Sequence, residues 1–232
     1  MPSYRLLILE CAVVIAAPLL LINLSSQSAR FSSLFVLAAY CFWRLLKAGA
    51  RESYLRMNWP AVRVALPGIA LRSAVAWIVI LALVQWLYPQ RLLCLAANAP
   101  GIVAAISVAY ALLSVLPQEV VFRSYAAWRL DGSGVAFRQA ALVSSAVFGW
   151  VHILYGSWLS VLLCFVGGIV FYRTYRKHRS LAAVWLEHSL FGAAIFVLGL
   201  DPLFYLGPDI TQFAPACADA AAVYSPEFPP PA

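Results

Sequence analysis

The sequence predicts an all-α fold, a polytopic membrane bundle of about seven transmembrane helices. Three observations predict it. Of the 232 residues, 64% are hydrophobic and only 11% are charged, with a mean hydropathy of +0.86; a soluble domain carries about a quarter charged residues. The apolar residues gather in runs near the ~20 residues that a helix needs to cross a bilayer. Lys and Arg gather between those runs, as they do in the inner loops of membrane proteins.

Seven runs stand out: Leu6–Leu24, Phe31–Leu46, Ile69–Tyr88, Ile102–Trp128, Ala140–Tyr155, Trp158–Tyr175 and Leu181–Leu200. The first is long for a signal peptide, is interrupted by Pro18 and lacks a small-residue cleavage site before a polar mature domain, so it reads as a retained span. The fourth is expected to break near Pro117, because proline removes a helical hydrogen bond. In the sixth, Gly167-Gly168 suits close helix packing. The second-to-third connection carries Arg44, Lys47, Arg51, Arg56 and Arg63; the fourth-to-fifth carries Arg129 and Arg138; the sixth-to-seventh carries Arg173, Arg176, Lys177 and Arg179. Placed inside by the positive-inside rule, these loops put the amino terminus inside. Residues 1–200 then form one membrane domain, with its chemistry-bearing part at about 111–200. Residues 201–232 form an acidic, proline-rich tail outside, with four acidic residues and no Lys or Arg.

The net charge of +7 does not point to nucleic acid, because no basic-aromatic stripe or nucleic-acid motif accompanies it. The five cysteines include no Cys-x-x-Cys pair, so neither metal nor thioredoxin-type chemistry is indicated. Cys11, Cys41 and Cys164 read as packing residues. The topology sets Cys94 and Cys217 on the same outer side, where a disulfide between them is one option.

Ionisable residues inside the apolar runs are the candidates for function, since a charge in lipid is costly and marks a site by default. Leu116-Pro117-Gln118-Glu119-Val120-Val121-Phe122-Arg123 places a carboxylate and a guanidinium four residues apart, on one helical face. Ala146-Val147-Phe148-Gly149-Trp150-Val151-His152 ends a run on an imidazole, and Trp185-Leu186-Glu187-His188-Ser189 adds a second. The plain alternatives are a structural ion pair and hydrogen-bonded packing histidines. His178, in Arg176-Lys177-His178-Arg179, reads as solvated. One carboxylate and two imidazoles on three helices can meet in a polar cavity of a bundle. Such a set can take a proton from water and return one to a leaving amine.

These three elements resemble the CPBP family of CAAX proteases and bacteriocin-processing enzymes, also called the Abi family. Its pattern is Glu-Glu-x-x-x-Arg, then Phe-x-x-x-His, then His-x-x-x-Asn or Asp. The matches are Gln118-Glu119 with Arg123, Phe148 with His152, and His188 followed at the fourth place by Gly192. The resemblance covers Ala111 to Leu200. It implies a metal-independent, cofactor-free glutamic intramembrane endopeptidase acting on a membrane-associated peptide or protein in a lipid bilayer, here of a bacterial inner membrane. Within the family the first glutamate and the second-motif histidine activate water, the second glutamate pairs with the arginine, and the third-motif residues hold the oxyanion. Two positions depart. Gln118 stands where the catalytic glutamate is expected, as in a branch with Gln-Glu, and Gly192 lacks an amide. The expected roles are therefore Glu119 with His152 on the water, Arg123 orienting Glu119, His188 at the oxyanion and Gln118 as a polar contact.

Three other readings compete. The chain is a catalytically inactive binding or immunity protein that kept the fold. It is a zinc enzyme with Glu119, His152 and His188 as ligands, although His-Glu-x-x-His is missing. Or it is a transporter, which the lack of paired interrupted helices disfavours.

Overall fold

The structure is a computed structural model that describes residues 4–23, 27–204 and 214–217. The tail expected over 201–232 lies outside the described residues except at 201–204 and 214–217. Helix follows helix: α1 (Tyr4–Asn23), α2 (Gln27–Lys47), the short α3 (Arg51–Tyr54), α4 (Trp59–Leu87), the short α5 (Cys94–Asn98), α6 (Pro100–Asp131), α7 (Phe137–Val151), α8 (Trp158–His178) and α9 (Leu181–Leu198). No strand occurs among the described residues. The seven long helices fall on the seven expected runs. Among the described residues, five stretches are long and apolar enough to cross a membrane: Arg51–Leu87, Pro100–Asp131, Phe137–Tyr155, Trp158–His178 and Leu181–Leu198. Helices α1 and α2 are not among them; in α1 only Ala12–Leu21 forms a shorter apolar stretch. Helix α2 opens on Gln27-Ser28 and carries Arg44 and Lys47 in its last turn.

The polar ends of the helices are set by local chemistry. The Asn58 side chain accepts from the Ala61 backbone N–H at 3.4 Å and caps α4, with Pro60 in the first turn. Ser157 caps α8 and Ser180 caps α9 in the same manner, accepting from Leu159 at 3.2 Å and Ala183 at 3.1 Å. These are the residue types that satisfy the orphan N–H groups of a first turn. Helix α9 stops at Gly199, whose φ of 96° needs a residue without a Cβ. The outward faces are apolar. Trp86, Val64 and Val36 are 78%, 76% and 71% exposed, as lipid-facing residues are in a bundle stripped of its bilayer.

Close helix contact is set by small residues. A Cβ on Gly149 of α7 would lie 2.8 Å from the Val161 carbonyl oxygen of α8. A Cβ on Gly168 of α8 would lie 3.0 Å from Ser145 of α7. Gly168 is thus the packing residue of the expected pair, while Gly167 faces Phe171 of its own helix.

Helix α6 does not break at Pro117. It widens instead, with π-helical turns at Tyr110–Val115 and Val120–Tyr125 on either side of Leu116–Glu119. Such turns relieve a helix where one backbone donor is missing and recur at functional sites. Neighbouring helices bond their carbonyls. The Trp185 indole donates to the Ala111 oxygen at 2.7 Å, and the Ser144 hydroxyl donates to the Phe122 oxygen at 2.5 Å.

Beyond α4 the chain crosses back over α9. Arg91 donates to Asp201 at 2.9 Å and to the Gly199 carbonyl at 3.3 Å. Cys94 and Cys217 form a disulfide, which ties residues 214–217 to α5.

Candidate active site

The wide turns of α6 bring Glu119 and Arg123 into the bundle against α7, α8 and α9. Both side chains are fully buried. Arg123 Nε lies 3.2 Å from Glu119 Oε2. The other carboxylate oxygen, Oε1, lies 2.7 Å from His188 Nδ1. The guanidinium sits over the rings of Phe148, at 4.2 Å, and Phe171, at 5.2 Å. Desolvating a charge is offset when it is paired and faces aromatic rings. Phe171 also stacks on His188 at 4.5 Å, and Phe148 meets that imidazole edge-on at 5.5 Å. One ion pair and one imidazole are therefore fixed inside an aromatic box.

His188 is engaged at its second nitrogen as well. Nε2 lies 3.1 Å from the Tyr110 hydroxyl. Glu119, His188 and Tyr110 thus form a continuous chain from α6 to α9 and back to α6.

His152 stands one ring away. Its imidazole packs on Phe148 at 4.6 Å, the same ring that meets His188. Its Nδ1 lies 2.6 Å from the Phe148 carbonyl oxygen. A carbonyl only accepts, so Nδ1 carries the hydrogen and the neutral ring presents its lone pair at Nε2. The ring sits where α7 gives way to a 3₁₀ turn at His152–Tyr155, closed by Gly156 at φ 74°. Gln118 is buried and donates from Nε2 to the Ser114 hydroxyl at 2.8 Å. Its Oε1 makes no hydrogen bond.

Of the expected site residues, Glu119, Arg123 and His188 touch, while His152 and Gln118 lie beside them without bonding to Glu119. The zinc set is not assembled. His188 spends both nitrogens on Glu119 and Tyr110, and no three His, Cys, Asp or Glu side chains converge among the described residues.

Two residues were missed from the sequence. Tyr110 left no signal, being one aromatic in an apolar run. Arg72 left a plain one, a cation inside Ile69–Tyr88. Its Nε lies 2.6 Å from the buried Glu187 carboxylate, and its Nη2 donates to Thr174 at 3.1 Å.

A family model described as type II CAAX prenyl endopeptidase Rce1-like matches residues 100–194. No curated protein and no solved structure matches the chain. Tyr110, Gln118, Glu119, Arg123, His152, His188 and Gly192 all fall inside the matched stretch, whereas Arg72 does not. The chain is an integral membrane protein whose residues 100–194 are similar to a family of CAAX-type proteases.

Proposed function

We propose that the chain is a glutamic-type intramembrane endopeptidase that hydrolyses a peptide bond in a membrane-associated protein, without metal or cofactor. The observation that carries this reading is the buried Glu119 carboxylate, held between Arg123 and His188 inside an apolar bundle, with the lone pair of His152 one ring away. His152 Nε2 takes a proton from water as the water oxygen adds to the scissile carbonyl carbon. The C–N bond then breaks, and the proton passes to the leaving amine. Glu119 compensates the positive charge that develops on the imidazoles, Arg123 fixes the carboxylate, His188 serves the oxyanion side, and Gln118 offers its unbonded Oε1 to water or substrate. The protein sits in a bacterial inner membrane with its amino terminus inside. Its substrate is a prenylated tail, a leader or a sorting segment presented at the bilayer.

Protein termini in membranes from cells making wild type, Glu119→Ala or His152→Ala test this. A new terminus seen only with wild type is the expected result, and equal cleavage by both variants refutes the assignment.

A second reading has its own support. Glu119 is sealed and both its oxygens are engaged, as suits a structural pair in an inactive binding or immunity protein. Protection of cells or capture of a partner that Glu119→Gln leaves intact, with no new terminus, would establish it.

A further inference from the structure

We propose that Tyr110 is the catalytic hydrogen-bond donor to the scissile carbonyl oxygen, with Glu119 and His188 standing behind it; this rests on the peptidase reading above. His188 is buried, and neither of its nitrogens is open to substrate. Its Nδ1 is held by Glu119 and its Nε2 by Tyr110, while Phe171 covers its face and Phe148 its edge. Glu119 is fully buried, with Oε1 bonded to His188 and Oε2 ion-paired with Arg123. Any hydrogen bond this pair delivers to a substrate must pass through the group at the end of the chain, and that group is the Tyr110 hydroxyl. Tyr110 is only partly buried.

The phenolic hydrogen turns freely about its C–O bond. With Glu119 accepting from Nδ1–H, the resting hydroxyl donates to Nε2. When His188 has taken up one proton from solvent, relayed by the Tyr110 hydroxyl, which passes its hydrogen to Nε2 and accepts another, the imidazolium is balanced by Glu119 and Nε2–H donates to the Tyr110 oxygen. The phenolic hydrogen is then released toward a bound carbonyl. A hydrogen bond received at the oxygen strengthens the one given by it, so the chain delivers the Glu119–His188 pair to the developing oxyanion as one polarised O–H. No covalent bond to Tyr110 forms.

The fold makes room for this ring at one position. An ideal Cβ built on Gly192 of α9 would collide with Cε1, Cζ and the hydroxyl of Tyr110. Phe196, one helical turn on, meets the ring edge-on at 5.4 Å and holds it there. Gly192 therefore admits the phenol to His188, and any side chain at 192 excludes it. At Gly192, where α9 carries no side chain, the Tyr110 hydroxyl from α6 takes up the space.

The test uses the full chain in detergent or liposomes, on the membrane protein whose new terminus appears with wild type and not with Glu119→Ala. Tyr110→Phe keeps the ring and removes the donor. Its kcat should fall about 10²–10³-fold, as for the loss of one oxyanion donor, with KM and thermal midpoint unchanged. Gly192→Ala should lose kcat comparably by displacing the ring. Tyr110→Ala/Gly192→Asn, with an amide N–H in the emptied space, should regain roughly tenfold or more over Tyr110→Ala, a gain on the scale of one hydrogen bond. Tyr110→Phe within about threefold of wild type, while Glu119→Ala is inactive, overturns the proposal. So does a loss that follows a lowered thermal midpoint or a raised KM, which marks a packing role. Equal cleavage by Glu119→Ala overturns the peptidase reading itself, and the Tyr110 role with it.

Discussion

Replacing Arg72 by alanine should destabilise the bundle by about 2–4 kcal/mol. Arg72 projects from α4 to α9, where its Nε meets Glu187 at 2.6 Å, and to α8, where Nη2 meets Thr174 at 3.1 Å. Removing one partner of a buried pair leaves the other charge without compensation, at roughly 3–5 kcal/mol. Two features of the structure lower that figure. The Glu187 carboxylate is fully buried, but the Arg72 side chain is 39% exposed, so part of the attraction is screened and does not belong to the pair. The loss is also capped, because a stranded carboxylate can take up a proton at pH 7 for roughly 3.5 kcal/mol, at 1.36 kcal/mol per unit above the ordinary glutamate value. The upper half of the range applies if little water reaches Glu187 in the variant, the lower half if it hydrates. Reversible unfolding in SDS–detergent mixtures reads the change, which at 1.4 kcal/mol per decade is about 30- to 1,000-fold in the unfolding equilibrium. Arg72→Ala/Glu187→Leu should recover most of the loss, since a buried pair replaced by apolar groups is often neutral. A single variant within ~0.5 kcal/mol of wild type, the scale of an ordinary surface substitution, or a double variant weaker than the single, would refute the reasoning.

Three further outcomes follow from the same geometry. Gly149→Ala should cost at least about 1–3 kcal/mol, the usual price of overpacking, because its Cβ meets the Val161 carbonyl rather than a movable side chain; the same SDS titration reads it. Arg123→Met should cost roughly 3–5 kcal/mol by stranding a sealed carboxylate, and Arg123→Met/Glu119→Gln should restore most of that stability without restoring cleavage. In a variant with Cys11, Cys41 and Cys164 changed to alanine, a membrane-impermeant maleimide added outside intact cells should label Cys94 and Cys217 only after reduction; labelling without reduction refutes the disulfide, and labelling only from inside refutes the orientation.

The helices were legible because lipid imposes them. An apolar run near twenty residues in length has few other solutions, and each long helix lies on its run within a turn or so, apart from α4, which starts ten residues before Ile69 at Trp59. That early start runs through Val62, Val64 and Leu66, apolar residues broken by Arg63 and Pro67, so local hydropathy hid it. Glu119 and Arg123 announced themselves as charges at helical spacing, and their contact agrees. Arg72 carried the same kind of signal in another run, and Glu187 supplied the opposite charge. What the sequence could not express is which helices adjoin, and therefore that Arg72 pairs with Glu187. At Pro117 the sequence predicts a break, because a missing donor ordinarily kinks a helix. The π-helical turns around it, with Trp185 and Ser144 bonding their carbonyls, are a response supplied by other helices. Tyr110 was illegible for the same reason: its meaning depends on a glycine 82 positions away.

The Gln118-Glu119 departure narrows where a base can sit. A glutamate at 118 would have offered a carboxylate at the position where Gln118 now places an amide, bonded to Ser114 through Nε2. Glutamine has no proton-accepting carboxylate to substitute for it. Glu119 does not fill the role by proximity, because Arg123 and His188 hold both of its oxygens and no surface of it is exposed. Oε1 is hydrogen-bonded to His188 and Oε2 faces Arg123 as an ion pair without a hydrogen bond, so a proton taken up on the carboxylate would neutralise that ion pair in a low-dielectric interior, where it is expensive to lose. His152 carries no such burden. Its Nδ1 is fixed on the Phe148 carbonyl, which holds the ring in one tautomer with the basic nitrogen at Nε2. On the peptidase reading the base is therefore an imidazole, and Glu119 acts as the fixed counter-charge. The two roles separate in one comparison. Gln118→Glu returns a carboxylate to the first position, so Gln118→Glu/His152→Ala should recover activity that His152→Ala has lost, whereas Gln118→Glu/Glu119→Ala should not. Recovery in the second variant, or in neither, would show that base and counter-charge have been assigned to the wrong side chains.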